Sequence, residues 1–443
     1  MMVKILTGAL AAAALTGAVL VAGLVPVHVP SESTVEHQAV TPVVQPVACP
    51  GPLTVPVGDI SSGNDTLDSA SADVKYDVLM TGSPQDVGDG VATDSVAGAT
   101  LESVGGGDIA GLAAVSCTRP SLDQWLVGGA TTLGASARLV LTNPADAPVE
   151  ATVTAYGAIG AIEEPIIIVV GPMSQQSVLL EGVIPENAAL VLNVEASGTG
   201  IAAAVQDSRL DGFEPVGTDW VGPGADPSES LVIPAIGPSD PTADGGSAFV
   251  SLMAPEGATV QLTLITDSGI VDWPGTSGLV LKPGVVTEIP VPEFESGAIE
   301  VKADFPVVAA GVSRVARESQ TGRAGSVAFD SMWVAGQSPS TVSHSLVAVT
   351  DSPVLSVYSA VHQSVSVTNQ DGKVVATGDI PARTVQLLTV DAVAGDVLTV
   401  DPGFAWAEVV RTDEGLLTAL GPTETTVADL DVAVRVDGYI PVP

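Results

Sequence analysis

Short apolar runs, broken by glycine, proline, aspartate or asparagine, recur from about residue 49 to the end of the chain, and this punctuation predicts β-strands. Several runs alternate with period two. Val149, Ala151, Val153 and Ala155 are interleaved with Glu150, Thr152 and Thr154; Val260, Leu262 and Leu264 with Gln261 and Thr263; Val365 and Val367 with polar neighbours. One dry face and one wet face is the pattern of an antiparallel sheet. A parallel α/β sheet needs helices between its strands, and no convincing amphipathic helix longer than about ten residues follows the N-terminal segment. The Gln370–Lys373 stretch, with Asp-Gly at its centre, predicts a tight hairpin turn.

A phrase repeats above the level of single strands. WLVGGA begins at Trp125, WVGPGA at Trp220 and WVAGQS at Trp333. A second phrase carries Pro172, Pro283 or Pro381, each followed six positions later by an apolar strand residue, Val178, Ile289 or Leu387. Trp spacings of 95 and 113 residues suit β-sandwiches of about 100 residues. The expected architecture is all-β: tandem antiparallel, immunoglobulin-like β-sandwiches at 125–219, 220–332 and 333–443, the last with a C-terminal strand near Val432–Val436. Residues 49–124 form a degraded β unit ahead of them. Each repeat Trp is expected to be a buried plug at the entry to its unit, with its indole N–H finding one partner.

The N-terminus departs from this pattern. Lys4 precedes an uncharged run, Ile5–Val25, about 31 Å long as a helix and so able to cross a bilayer core. Residues 1–30 are therefore expected to be a membrane anchor or a long signal segment, with Lys4 inside and the remaining chain outside. Residues 31–48 read as an extended tether.

Composition narrows the partners. Asp and Glu total 51 against 14 Lys and Arg, a net charge of −37. Nucleic-acid backbones and anionic lipid surfaces are thereby disfavoured. The acidity is expected to keep a valine-rich β protein soluble, with cation binding as the rival use. Cys49 and Cys117, the two cysteines of the chain, lie beyond the N-terminal run. In an exported chain they are expected to form a disulfide closing the unit 49–124.

A search for chemistry finds little. No G-x-S-x-G elbow, zinc spacing or credible phosphate loop occurs. Ser343, His344 and Ser345 are adjacent, but strand neighbours point to opposite faces; His344 and His362 are the candidates left for a hydrolase. Asp59, Asn64, Asp65 and Asp68, and separately Asp207 and Asp211, could serve calcium but fit turns better. No cofactor or metal is expected. Arg119, Arg138 and Arg209 stand out among so few cations, and the region of Asp123, Trp125, Arg138 and Arg209 is the expected interaction surface.

The run from Cys117 to Glu163, CTRPSLDQWLVGGATTLGASARLVLTNPADAPVEATVTAYGAIGAIE, resembles a family of exported actinobacterial proteins that carry a domain of unknown function. The likeness extends through Arg209 and Asp211 toward the C-terminus. It implies an N-terminal membrane-spanning or signal segment and a cell-envelope location, and it supplies no catalytic residues. The expected function is a non-catalytic extracytoplasmic scaffold or interaction module, membrane-anchored or secreted, whose partner is an envelope protein or a cell-wall polymer. The alternatives are a wall-polysaccharide-binding protein, which would need exposed Trp406 and Tyr358, and a surface hydrolase.

Overall fold

The computed structural model describes residues 34–40, 46–55, 72–212, 214–239, 246–317, 328–338, 342–424 and 430–436. The expected anchor, Ile5–Val25, and the acidic group Asp59, Asn64, Asp65 and Asp68 lie outside these residues. Among the described residues no helix is long and apolar enough to cross a membrane.

The chain forms two compact units, 1–43 with 427–443, and 44–426. In the first, Thr34–Val40 pairs antiparallel with Leu430–Val436, from Thr34 opposite Val436 to Val40 opposite Leu430. This corrects two expectations. Part of the tether 31–48 is a paired strand, and the C-terminal strand assigned to 333–443 has Thr34–Val40 as its partner. Neither segment has a long apolar run, so its pairing partner is invisible locally.

Unit 44–426 is built almost wholly of antiparallel strands. The predicted alternation is realised in Val149–Gly157, where Val149, Ala151, Val153 and Ala155 are buried and Glu150 is exposed. Three apolar cores follow one another along the chain. In the first, Leu126, Val153 and Leu192 from one sheet meet Leu139, Leu141 and Val205 from another. The second joins Leu231, Leu262 and Ile299 to Val250, Ala309 and Met332. The third joins Leu346, Val365 and Leu398 to Leu355, Val357 and Trp406.

In the second core a single strand, Gly297–Arg317, serves both layers. Its first part pairs with Ser228–Ile236 and Ala258–Thr266. Its last part pairs with Gly246–Met253 and Ala328–Ala335. The exposed stretch Asp304–Pro306 lies between the two parts.

The proline phrases are structurally equivalent. The strands after them, Ser174–Leu179, Thr287–Pro290 and Thr384–Thr389, pair with Ala135–Asn143, Gly246–Met253 and Val354–Ser359 respectively. The tryptophan phrases are not. Trp125 lies in Asp123–Val127, which pairs with Leu190–Ala196. Trp220 and Trp333 lie in return strands, Glu214–Val221 and Ala328–Ala335, hydrogen-bonded to the strands that precede them, Ala202–Asp211 and Gly297–Arg317. The boundaries expected at 125, 220 and 333 therefore each cut a strand. The shared words W-V or W-L-V and glycine reflect burial at the end of a strand, a requirement met in strands of different pairing.

The segment from Val47 to Ser116 supplies two three-stranded sheets. The expected disulfide, Cys49–Cys117, is present, and both cysteines are fully buried.

Candidate functional site

Four hairpins end in return strands that gather in the interior: Gly111–Ser116, Glu214–Val221, Ala328–Ala335 and Leu417–Leu420. We call these the first to fourth closing strands. Each neighbours the next, and the fourth neighbours the first, so they form a ring. The second and third touch through a parallel contact, Val216 opposite Phe329, an exception to the antiparallel rule. Close approach is demanding there. A Cβ on Gly217, whose φ is +121°, would stand 1.8 Å from Ser331 Oγ, and a Cβ on Gly111 would stand 2.5 Å from Asp330 Oδ1.

Two carboxylates with no solvent exposure, Asp219 and Asp330, staple the ring. Asp219 accepts N–H groups from Ala114 (3.2 Å) and Trp333 (2.8 Å) and the Thr418 hydroxyl (2.9 Å). Asp330 accepts the Leu417 N–H at 2.8 Å and, more weakly, that of Leu112 at 3.4 Å. Desolvation pushes Asp219 well above the usual carboxylate range, and its hydrogen bonds only partly oppose this. Burial likewise pushes Asp330 up to about 7, against the pull of the Leu417 N–H and the Arg317 charge.

The strand before each closing strand repeats the device. Glu102 accepts the Leu53 N–H at 2.7 Å. Asp207 accepts the Trp333 indole N–H and the Arg209 Nε, both at 3.1 Å. The Ser313 hydroxyl accepts the Gly237 N–H at 2.8 Å. Glu408 accepts the Val349 N–H at 3.1 Å and the Thr350 hydroxyl at 3.0 Å. Burial raises both Glu102 and Glu408 to about 7. These buried polar side chains are held by groups of the protein itself and leave no space for a substrate.

The second gathering is open. A cavity of about 450 Å³ lies between residues of the second and third cores. Ile236, Met332, Val354, Leu387 and Val409 give it an aliphatic lining, with Glu295, Asp351 and Arg411 as its charged groups. Arg411 donates to Gly237 O at 3.3 Å; burial lowers its pKa and the nearby Glu295 carboxylate opposes the shift. Asp351 Oδ1 accepts the Ala394 N–H at 3.0 Å. Ser352 beside it has φ of 53°, a left-handed conformation uncommon for a side chain without special restraint.

Comparison with known families matches most of the chain, residues 68–398, to one of them. The chain belongs to DUF5719, a family of unknown function. The match begins before Cys117, where the resemblance was first evident, and ends short of Glu408 and the fourth closing strand. No curated protein matches this DUF5719 chain. Among solved structures it is similar to a chain titled "Biofilm associated protein - BSP domain", at 10% identity, with 82% of this chain and 67% of that one covered. The TM-score is 0.14, too low to carry an argument.

Within the DUF5719 chain the expected interaction residues are scattered by depth. Asp123 is exposed and accepts from the Asn193 amide. Trp125 is 7% exposed, stacks on Tyr156 with ring centroids 6.0 Å apart, and shares a core with Met253, Val308 and Trp333. Arg138 is 9% exposed; burial lowers its pKa and Glu181 opposes the shift. Arg209 is tied to the buried Asp207. Trp125, Arg138 and Arg209 thus do not form an open surface with Asp123: the strands of Trp125 and Arg138 are covered on both faces, and Arg209 is half-buried against Asp207. Trp125 fills an apolar interior. Trp406 and Tyr358 are buried as well, at 1% and 3% exposure, and the Tyr358 hydroxyl donates to Glu300, which Arg383 also engages.

Of the histidines considered for hydrolysis, His362 meets Asp379 at 2.9 Å, and the Ser364 hydroxyl donates to the other oxygen of Asp379 at 3.4 Å. The carboxylate stands between hydroxyl and imidazole, whereas a triad requires the imidazole in the middle. Ser345, beside His344, is hydrogen-bonded to Thr399 at 2.6 Å. No group of three or more potential metal-ligating side chains occurs among the described residues; Asp207 is occupied by Arg209 and Trp333.

Proposed function

We propose that this chain is a non-catalytic, extracytoplasmic scaffold of the cell envelope: tandem two-layered, immunoglobulin-like β units, held at the membrane or secreted, that position a binding surface for an envelope protein or wall polymer. The observation that carries the reading is the use made of the acids. Asp219, Asp330, Glu102 and Glu408 spend their oxygens on backbone N–H groups and hydroxyls of segments distant in sequence, which is how side chains serve rigidity. The buried Cys49–Cys117 bridge favours an oxidising compartment. The repeat tryptophans fill interiors, which supports a building role for them over a sugar platform, and the burial of Trp406 and Tyr358 counts against the polysaccharide alternative.

Cell fractionation with thiol labelling tests the location: the protein is expected outside the cytoplasmic membrane with both thiols blocked by oxidation, and a cytoplasmic, dithiol form would overturn the reading. N-terminal sequencing of the mature protein then tells an anchor from a cleaved leader. Crosslinking in intact cells is expected to trap a single envelope component. Hydrolytic turnover of a wall fragment, abolished by His362→Ala, would instead establish the hydrolase.

A further inference from the structure

The open cavity is a binding site of definable chemistry. Its size, about 450 Å³, falls in the range of ligand pockets, which favour boundaries between packed units. Its walls come from far apart in sequence, Ala235–Gly237, Glu295–Gly297, Thr350–Val354 and Val409–Arg411. They are also rigid. Gly237 cannot carry a side chain, because its φ is +107° and a Cβ would stand 2.6 Å from Glu295 O. Thr350 is bound to the buried Glu408, and the Ser352 N–H to Ala392 O at 2.9 Å. The left-handed Ser352 is thus held in place at the cavity wall, the kind of restrained conformation that clusters at ligand clamps.

The lining selects the ligand. Ile236, Met332, Val354, Leu387 and Val409 offer aliphatic contact, and Leu387 is 56% exposed. Among the described residues no aromatic side chain lines the cavity, so they offer a sugar ring no face to stack upon. The charges are two carboxylates, Glu295 and Asp351, against one guanidinium, Arg411, which donates to Gly237 O and interacts with Glu295, so the lining keeps a net negative charge centred on Asp351. Glu295 makes no hydrogen bond among the described residues, and Asp351 uses one oxygen. The net charge of −37 raises the local concentration of cations and repels anions.

We propose that this cavity binds an amphipathic cation, namely the aliphatic and basic side chains of a peptide segment of a partner protein. The aliphatic part lies against Met332, Val354 and Leu387; the ammonium or guanidinium is met by Asp351 and Glu295. The proposal deepens the scaffold reading, and rests on it in one respect, that the site binds without turnover.

The test titrates the full chain with N-acetyl-Leu-Lys-amide and with hexylammonium, by calorimetry. Methylammonium, hexanoate and maltose are run alongside. Saturable binding of the peptide and of hexylammonium is expected. The double variant Asp351→Asn, Glu295→Gln should weaken it about tenfold, and Leu387→Ala about threefold, as befits partly exposed contacts. Unchanged thermal melting of the variants verifies that they fold. Equal binding of methylammonium and hexylammonium would mean that the general acidic field acts alone, and would overturn the proposal. So would preference for hexanoate or maltose, variants without effect, or no saturable binding. These failures leave the scaffold reading untouched. Recovery of the peptide cleaved would sink the scaffold reading while leaving the cavity occupied.

Discussion

Asp219 and Asp330 sit in the ring of closing strands, and Asp351 and Glu295 at the open cavity; the residues are chemically alike and their situations opposite. The ring acids have no solvent exposure, and Asp219 finds partners on three other closing strands, Asp330 on two. The cavity acids are exposed and, among the described residues, their side chains make one hydrogen bond, Asp351 with Ala394. A carboxyl group taken from water must be neutralised or saturated with donors. One left in water can wait for a ligand. Net acidity alone does not separate structural from recognitive acids; the number of donors already committed does.

The strongest way to break this comparison is Asp219→Ala. It strands the Ala114 and Trp333 N–H groups and the Thr418 hydroxyl, at about 1–3 kcal/mol each. A loss of about 5 kcal/mol in urea unfolding is expected. Asp219→Asn keeps one acceptor but turns an amide NH2 toward a donor, because Oδ1 serves Ala114 and Thr418 while Oδ2 serves Trp333, and should cost about half as much. Equal effects from the two variants would mean that the number of satisfied donors does not decide stability in the ring.

The pH dependence of stability comes next. Burial raises Asp330, Glu102 and Glu408 to about 7, while in the unfolded chain such groups titrate near 4. The folded state therefore holds protons that the unfolded state has released. Their stabilising contribution is complete below about pH 4, declines as pH rises toward about 7, and is flat above. The free energy of unfolding in urea is expected to be higher at pH 5 than at pH 8, on the order of 2 kcal/mol for each of the three groups. A rise across that interval would show that these acids are ionised in the fold.

Smaller again is Gly111→Ala, which sets a methyl group against Asp330 Oδ1 and should cost about 2 kcal/mol through displacement of the carboxylate. The smallest effect is predicted at the cavity: Asp351→Asn with Glu295→Gln should alter stability by less than about 0.5 kcal/mol, although it weakens the ligand. A large destabilisation there would erase the distinction between the two regions.

Much of the local structure was legible. Period two placed Val149–Ala155 and Val260–Leu264 in half-buried strands, the proline phrases marked equivalent strands, and two cysteines sufficed for the bridge. The ring was not legible. Asp219 precedes Trp220 in a strand and looks like one more solubilising charge, because the donors that make its burial tolerable lie on segments about a hundred or two hundred residues away. The sequence does hold one overlooked signal, the single polar group inside the otherwise apolar run at Glu408, AWAEVV. The interaction surface failed for a related reason. Rarity of cations drew attention to Arg138 and Arg209, but strand geometry and local carboxylates, Glu181 and Asp207, gave them interior roles.

Closure of the ring bears on how the chain is made. Gly111–Ser116 emerges early in synthesis, and its last neighbour, Leu417–Leu420, some three hundred residues later. Until that hairpin arrives, Asp219 lacks the Thr418 hydroxyl and Asp330 the Leu417 N–H, so the second and third closing strands each carry an acid awaiting its donor. Arrival of the fourth closing strand is then the step that fastens the ring, and a truncation before Leu417 is expected to leave both acids short of these donors.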